Sequence, residues 1–132
     1  MTSLLEIAKD APVVSIPKGD VLLQQGKVGN RIFILKQGAV HITRDGTSIC
    51  TIKSPGSAFG EISTLLGIPS TATATATADS SFVVIDNPLD TLKQNPEFCL
   101  EIAKLLAHRL RWLTMTYSEE IDDGESVFWA SR

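Results

Sequence analysis

The residues with the clearest chemical potential lie in one stretch, Ser57–Thr73, where a glycine and a carboxylate meet at Gly60 and Glu61. Gly60 permits a tight turn, and Glu61–Leu66 is long enough for about a turn and a half of helix. A helix start leaves backbone N–H groups unpaired and favours an anion such as phosphate. A carboxylate there would repel the anion unless it accepts hydrogen bonds from other groups, such as sugar hydroxyls. The stretch therefore fits a phosphate joined to a polyol, and it equally fits a plain turn in which Glu61 stabilises the helix dipole.

A strict alternation of threonine and alanine, Thr71–Ala78, overlaps the end of this stretch. In a strand, alternate side chains point to opposite faces, so the threonines share one face and the alanines the other. The small side chains would leave room beside the strand, as the wall of a binding pocket requires. The alternative is an edge strand of low complexity with nothing bound to it.

Short β-prone runs separated by turn residues must position this stretch. Asp45-Gly46, between two alternating runs, is the strongest hairpin signal in the chain, and Phe82–Ile85 is a continuous apolar run typical of a buried strand. Many short strands at regular spacing predict a sandwich or barrel, here a jelly roll. The other expected strands are Val13–Ile16, Val21–Gln24, Arg31–Leu35, Ala39–Thr43 and Ser48–Ile52.

Helices are expected at both ends of the chain. Thr2–Asp10 predicts a short helix that caps the core. Asp86 or Asn87 before Pro88, and Asn95 before Pro96, each place an N-cap candidate ahead of a proline at the first helical position. The last helix has a broad apolar face, which suggests contact with a second subunit or a ligand, or simply a broader core face. This face comprises Phe98, Ile102, Leu105, Leu106, Trp112 and Leu113, and Arg109 interrupts it.

The predicted fold is therefore mainly β with flanking helices: a β-jelly-roll (double-stranded β-helix) with a short N-terminal helix, a short helix in the Ser57–Thr73 stretch and two C-terminal helices. We expect an N-terminal helix in residues 1–12, a single domain with its C-terminal helices in 13–117, and an acidic, flexible tail in 118–132. A chain of 132 residues suits one domain with a single core.

Charge and composition exclude several function classes. The net charge is −3, and five of the fifteen acids follow Tyr117, so the rest of the chain is nearly neutral and has no basic stripe of the kind that nucleic acid binding requires. Neither a signal peptide nor a membrane span is evident, which predicts a cytoplasmic protein. Cys50 and Cys99 are isolated, and we expect them to be buried free thiols.

Enzymatic chemistry is not expected, and neither a catalytic nor a metal site is predicted. Metal enzymes with a jelly roll need clustered histidines and a carboxylate, whereas His41 and His108 stand alone. The sequence has no G-x-S-x-G, G-K-[ST] or H-E-x-x-H motif. Hydroxyl groups without an activating base or metal do not carry out hydrolysis.

Several segments together resemble the cyclic nucleotide-binding domain, the module shared by catabolite-activator-type bacterial regulators, protein kinase A regulatory subunits and cyclic-nucleotide-gated channels. The resemblance covers residues 19–113, and the matching segments follow one another in the same order as in the family. It lies in G-D-V-L-L-Q-Q-G (Gly19–Gly26), I-F-I-L-K-Q-G-A-V (Ile32–Val40), P-G-S-A-F-G-E-I-S-T-L-L (Pro55–Leu66), P-S-T-A-T (Pro69–Thr73), N-P-E-F (Asn95–Phe98) and H-R-L (His108–Leu110).

The resemblance implies a phosphate-binding cassette at Phe59–Thr73, in which Glu61 takes the ribose 2′-hydroxyl and Thr71 offers a hydroxyl to the cyclic phosphate. The purine base would stack under the last helix or a residue beyond it. The implied ligand-binding residues are Phe59, Gly60, Glu61, Ile62, Ser63, Ser70, Thr71 and Ala72.

The chain departs from the family pattern at Ser70, because binding members carry an arginine after the cassette proline. An arginine forms a charge-assisted hydrogen bond to phosphate, and its loss costs about 1.5–3 kcal/mol, or roughly ten- to a hundredfold in affinity. The helix-start amides and the Ser70 and Thr71 hydroxyls could still hold a phosphate weakly. Lys27, Arg31 and His41 are candidates to replace the missing cation, although Lys27 and Arg31 also suit a role in loop structure.

Two functions follow from these expectations. In the first, the chain is a stand-alone sensor that binds cAMP or cGMP and signals through its C-terminal helix to itself or a partner. In the second, the cassette is degenerate and the domain is a ligand-independent interaction or oligomerisation module that uses the last helix and Phe128-Trp129. DNA binding is not expected, because only an acidic tail follows the last helix, and that tail could be disordered, close over the pocket or dock on a partner.

Overall fold

A computed structural model describes residues 3–120 of the chain. Within them, antiparallel strands form two four-stranded sheets, with strand orders β1-β8-β3-β6 and β2-β7-β4-β5. This confirms the prediction of a mainly β jelly roll with flanking helices. The strands are β1 (Val13–Ile16), β2 (Val21–Leu23), β3 (Arg31–Gln37), β4 (Val40–Arg44), β5 (Thr47–Ile52), β6 (Ala58–Phe59), β7 (Thr73–Ala76) and β8 (Ser80–Asp86). The helices are α1 (Leu4–Ile7), α2 (Glu61–Leu66), α3 (Pro88–Gln94) and α4 (Pro96–Glu120).

The core lies between the sheets and is centred on Phe82 of β8. The ring of Phe82 packs edge-on against Phe33 and Phe59, with ring centroids 6.1 and 6.3 Å apart. Edge-to-face packing of this kind stabilises the folded state by more than the burial of apolar area alone. Leu35, Val40, Ala74 and Val84 complete the same cluster. The buried strand predicted at Phe82–Ile85 is confirmed, because all four of its residues are buried within β8.

The predicted hairpin at Asp45-Gly46 is confirmed between β4 and β5. Both residues have positive φ, 52° for Asp45 and 78° for Gly46. Two successive residues of this kind form the tight turn whose twist matches that of the flanking strands. The amide of Gln25 fastens the turn to the end of β2, because its Nε2 donates to Asp45 Oδ1 at 2.8 Å and its Oε1 accepts from Asp45 N at 2.9 Å.

The threonine–alanine alternation forms β7, which is shorter than the predicted strand. Ala74 and Ala76 are each 1% exposed, and Thr73 and Thr75 are half-buried. The alanine face therefore packs into the core. The threonine side also supports the fold, since Thr73 Oγ1 accepts a hydrogen bond from Gln25 N at 3.0 Å.

The side chains of the two asparagines that precede prolines make different hydrogen bonds. Asn95 caps α4, because its Oδ1 accepts a hydrogen bond from Phe98 N at 3.1 Å. Asn87 occupies the N-cap position of α3, but its side chain caps nothing there and its φ is 48°. Its Oδ1 instead accepts from Asn30 Nδ2 at 2.9 Å, which joins α3 to the β2–β3 loop.

The chain divides into two compact units, one ending at Ile102 and one beginning at Ala103. The first contains both sheets, α1–α3 and the start of α4, where Phe98 and Ile102 are 1% and 2% exposed. The second contains the rest of α4, where Trp112 is 68% exposed. Among the described helices, none is long and apolar enough to cross a membrane. Most of the predicted acidic tail, including Phe128-Trp129, lies outside the described residues.

The prediction that both cysteines are buried is wrong, although both are free thiols. Cys50 lies on β5, an edge strand in which only Ile52 is even partly buried. Cys99 follows Phe98 on α4, and neighbouring helix positions point in directions about 100° apart. Because Phe98 faces the core, Cys99 faces solvent.

Candidate functional site

The candidate site is built from β6, α2 and the segment that returns from α2 to β7. The structure places α2 at the residues predicted for it, Glu61–Leu66. Gly60 precedes α2 with φ of 98°, a left-handed conformation that glycine adopts without strain. Gly67 ends α2 with φ of 67° and donates its N–H to the Ser63 carbonyl at 2.9 Å. A glycine at each end therefore confines the helix to six residues.

Glu61 is the first residue of α2 and is 2% exposed. Glutamate is almost never fully buried in proteins unless it is paired, because removing a carboxylate from water is costly. A buried carboxylate can accept several hydrogen bonds, and hydroxyl groups of a ligand are suitable donors. Because it is buried near the start of the cassette, Glu61 says more than any other residue of the site about the kind of ligand that would fit there.

Two neighbours of Gly60 and Glu61 in the predicted ligand set have contrasting environments. Phe59 is 4% exposed, and its ring packs against Phe82, so the side chain belongs to the hydrophobic core. Ile62 is 40% exposed. Phe59 therefore anchors the start of the cassette.

Ser63 is buried and uses its hydroxyl to hold the cassette together. Its Oγ donates to the Ile68 carbonyl at 2.5 Å and accepts from Gly29 N at 3.4 Å. The first bond closes the turn after α2, and the second joins α2 to the β2–β3 loop. Thr64, next to it, is also buried, but its Oγ1 has no hydrogen-bond partner among the described residues.

Ser70, Thr71 and Ala72 form the segment that returns to β7. Ser70 is half-buried, and its hydroxyl donates to the Ala72 carbonyl at 2.7 Å. Thr71 is exposed. Because the Ser70 hydroxyl already donates its proton within this segment, its oxygen can only accept hydrogen bonds from other groups.

The sequence did not predict the backbone contacts that hold the β2–β3 loop against the cassette. Gly26 N donates to the Ser70 carbonyl, and Ser70 N donates to the Lys27 carbonyl, both at 2.9 Å. These contacts join residues far apart in sequence, and no local spacing predicts them, although Gly26 ends one of the motifs that carry the resemblance. Of the three cation candidates, the structure brings Lys27 and Arg31 to the cassette, where they line a pocket with Gly60 and Ser70. His41 lies on β4, with Nε2 2.7 Å from Ser48 Oγ.

Comparison with known proteins identifies this architecture. The family model described as the cyclic nucleotide-binding domain matches residues 13–89. A CRP-like cAMP-activated global transcriptional regulator of Mycobacterium tuberculosis is 30% identical over 118 residues, which cover 83% of this chain and 52% of the regulator. The chain thus spans about half the length of this curated relative.

Solved structures share the fold. The Thermus thermophilus catabolite activator protein superposes with a TM-score of 0.71 at 25% identity, covering 86% of this chain and 56% of that one. A cyclic nucleotide-binding domain from Methylobacillus flagellatus gives a TM-score of 0.74 at 20% identity, covering 94% and 75%. The segment that matches the family model contains all eight described strands and the cassette. The chain belongs to the cyclic nucleotide-binding domain family.

Proposed function

We propose that the chain is a sensor domain that binds cAMP or cGMP in the cassette and transmits binding through α4. The observation that carries this proposal is Glu61, a carboxylate 2% exposed directly after a left-handed glycine, within the segment that matches the family model. Glu61 would accept a hydrogen bond from the ribose 2′-hydroxyl. The Gly60-Glu61-Ile62 backbone would lie near the ribose and phosphate.

A physical route from the cassette to α4 supports the signalling part of the proposal. α2 contacts α3 within the first compact unit. α3 ends at Gln94, and Asn95 then caps α4 directly through Phe98 N. Phe98 and Ile102 are buried in the same unit as the cassette. A shift of α2 on ligand binding would therefore reach the first turns of α4 through packed elements.

Calorimetric titration tests the proposal, using cAMP and cGMP as ligands up to millimolar concentration. We expect saturable binding of at least one of them and weaker binding of 5′-AMP, whose phosphate is not part of a ring. The absence of both binding heat and a thermal shift at millimolar cyclic nucleotide would overturn the proposal. In a Cys50→Ser variant, a fluorescence label on Cys99, which is exposed on α4, would report whether binding changes the environment of that helix.

The second candidate is a ligand-independent interaction or oligomerisation module. Ser70 favours it, because the resemblance implies an arginine there and the Ser70 hydroxyl donates to Ala72. Exposed apolar side chains on α4 favour it as well, since Leu110, Trp112 and Met115 are 52%, 68% and 50% exposed. Sedimentation analysis distinguishes the candidates: this one requires a dimer or a bound partner in the absence of nucleotide, and a strictly monomeric protein that captures no partner would contradict it.

A further inference from the structure

The β2–β3 loop is hydrogen-bonded to the cassette near both of the loop's own ends. At one end, Gly29 N donates to the hydroxyl of Ser63 on α2 at 3.4 Å. At the other end, the backbone of Ser70 exchanges two hydrogen bonds, one with Gly26 and one with Lys27, each 2.9 Å long. Lys27 is itself one of the attachment points, so its backbone is held beside Ser70 although its side chain is exposed to solvent.

A pocket of about 210 Å³ lies between this loop and the cassette. Its lining includes Lys27, Arg31, Gly60, Ser63 and Ser70, together with apolar residues of β2. The lining contains two cationic residues and neither aspartate nor glutamate. An anion in this space would therefore meet positive charge without a carboxylate in the wall to oppose it.

The two cations are not equivalent. Arg31 Nε lies 2.8 Å from Asp86 Oδ1, so part of its charge is already compensated. Among the side chains described, those of residues 3–116, no carboxylate pairs with the Lys27 ammonium group. A lysine side chain carries a compact charge on a flexible four-carbon stem, which lets it follow a ligand placed beside its backbone.

Ser70 cannot provide what the missing arginine would provide. Its hydroxyl proton points to the Ala72 carbonyl, so its oxygen presents only lone pairs to a ligand. Lone pairs repel a phosphate oxygen. A cation that balances a phosphate here must come from a neighbouring segment, and Lys27 is joined to Ser70 by a backbone hydrogen bond.

We propose that Lys27, presented by the β2–β3 loop, supplies the positive charge that contacts the cyclic phosphate in place of an arginine within the cassette. This inference rests on the proposed function of the same site. It makes Lys27 a binding residue of the domain and gives the loop a role in ligand recognition.

The test compares Lys27→Gln, Lys27→Arg and a matched control, Lys36→Gln, by calorimetric titration with cAMP and cGMP. Lys36 is also an exposed lysine, and it lies five residues beyond Arg31 on β3, about 16 Å away along the strand. We expect Lys27→Gln to weaken binding about tenfold, while Lys27→Arg and Lys36→Gln bind like the unsubstituted chain. Raising the salt concentration should weaken binding more in the unsubstituted chain than in Lys27→Gln, because the substitution removes a screened charge.

The outcomes separate the two proposals. If the unsubstituted chain binds cyclic nucleotide and Lys27→Gln binds equally well with the same salt dependence, the role of Lys27 is overturned and the sensor function stands. If the unsubstituted chain binds neither nucleotide at millimolar concentration, both proposals fail. Thermal unfolding of each variant checks that the exposed substitutions leave the fold intact.

Discussion

The carbonyl oxygen of Arg31 lies 2.5 Å from the point that a Cβ atom on Gly60 would occupy. A Cβ atom does not approach a carbonyl oxygen so closely, and this oxygen belongs to the backbone of β3, which cannot swing aside. Gly60 also has φ of 98°, a conformation that side chains disfavour. The glycine at the mouth of the cassette is therefore required by packing against β3, whether or not a ligand binds.

Gly60→Ala should accordingly destabilise the domain, by about 3 kcal/mol from the combined strain and overlap. Two other glycines separate these causes. Gly67 has φ of 67° with open space around it, so Gly67→Ala should cost about 1 kcal/mol through strain alone. Gly29 has neither feature, so Gly29→Ala should change stability by less than about 0.5 kcal/mol. Urea unfolding measures the free energy of unfolding of all three variants. Equal losses of stability would contradict the packing argument.

The neighbouring hydroxyls of Ser63 and Thr64 should respond in opposite directions when removed. Ser63→Ala leaves Gly29 N and the Ile68 carbonyl without their partner, so we expect a loss of about 2 kcal/mol. Thr64→Val removes a buried hydroxyl that has no partner among the described residues and keeps the side-chain shape. We expect a gain of about 1 kcal/mol. Denaturant unfolding of the two variants provides the measurement, and a destabilised Thr64→Val would reveal a partner for that hydroxyl.

Local patterns in the sequence predicted those parts of the fold that local chemistry decides. The continuous apolar run Phe82–Ile85 and the turn residues Asp45-Gly46 each fix their own conformation, and α2 has the predicted bounds. Sequence patterns did not predict that Asn87 would bond to Asn30 and not cap α3. That choice depends on a residue brought near by the tertiary fold.

The same distinction applies to the site. The cassette is continuous in sequence, so its residues could be named together, and their roles in ligand binding stay predictions. The attachment of Lys27 to Ser70 could not be predicted, because it arises from the path of the chain around two sheets and not from any spacing. The burial of Cys50 was misjudged for a related reason, since it depends on whether a strand lies at a sheet edge, as β5 does.

Glu61 should discriminate ligands by their 2′-hydroxyl if the proposed pose is correct. We expect the unsubstituted chain to bind cAMP about tenfold more tightly than 2′-deoxy-cAMP, because a hydrogen bond to a charged group is worth about 1.5–3 kcal/mol. Glu61→Gln keeps the size of this buried side chain but removes its charge, so the preference should shrink. Competition titrations measure the ratio directly. A Glu61→Gln variant that loses affinity for both ligands equally would place the carboxylate away from the 2′-hydroxyl.

Ser70→Arg should strengthen cyclic nucleotide binding about ten- to a hundredfold, because guanidinium forms charge-assisted hydrogen bonds to phosphate. The backbone at this position is held by Gly26 and Lys27, so the new side chain would start from a fixed point beside the pocket. Ser70→Gln is the matched control, since it adds length without charge and should give no comparable gain.

Combining this change with Lys27→Gln links it to the inferred role of the loop. With arginine at position 70 carrying the phosphate charge, Lys27→Gln should cost less affinity than it does in the unsubstituted chain, which a double-mutant cycle measures as non-additivity. Strictly additive effects would mean that the two positions do not share a ligand group. If Ser70→Arg binds no more tightly than Ser70→Gln, the pocket beside Ser70 does not receive the phosphate.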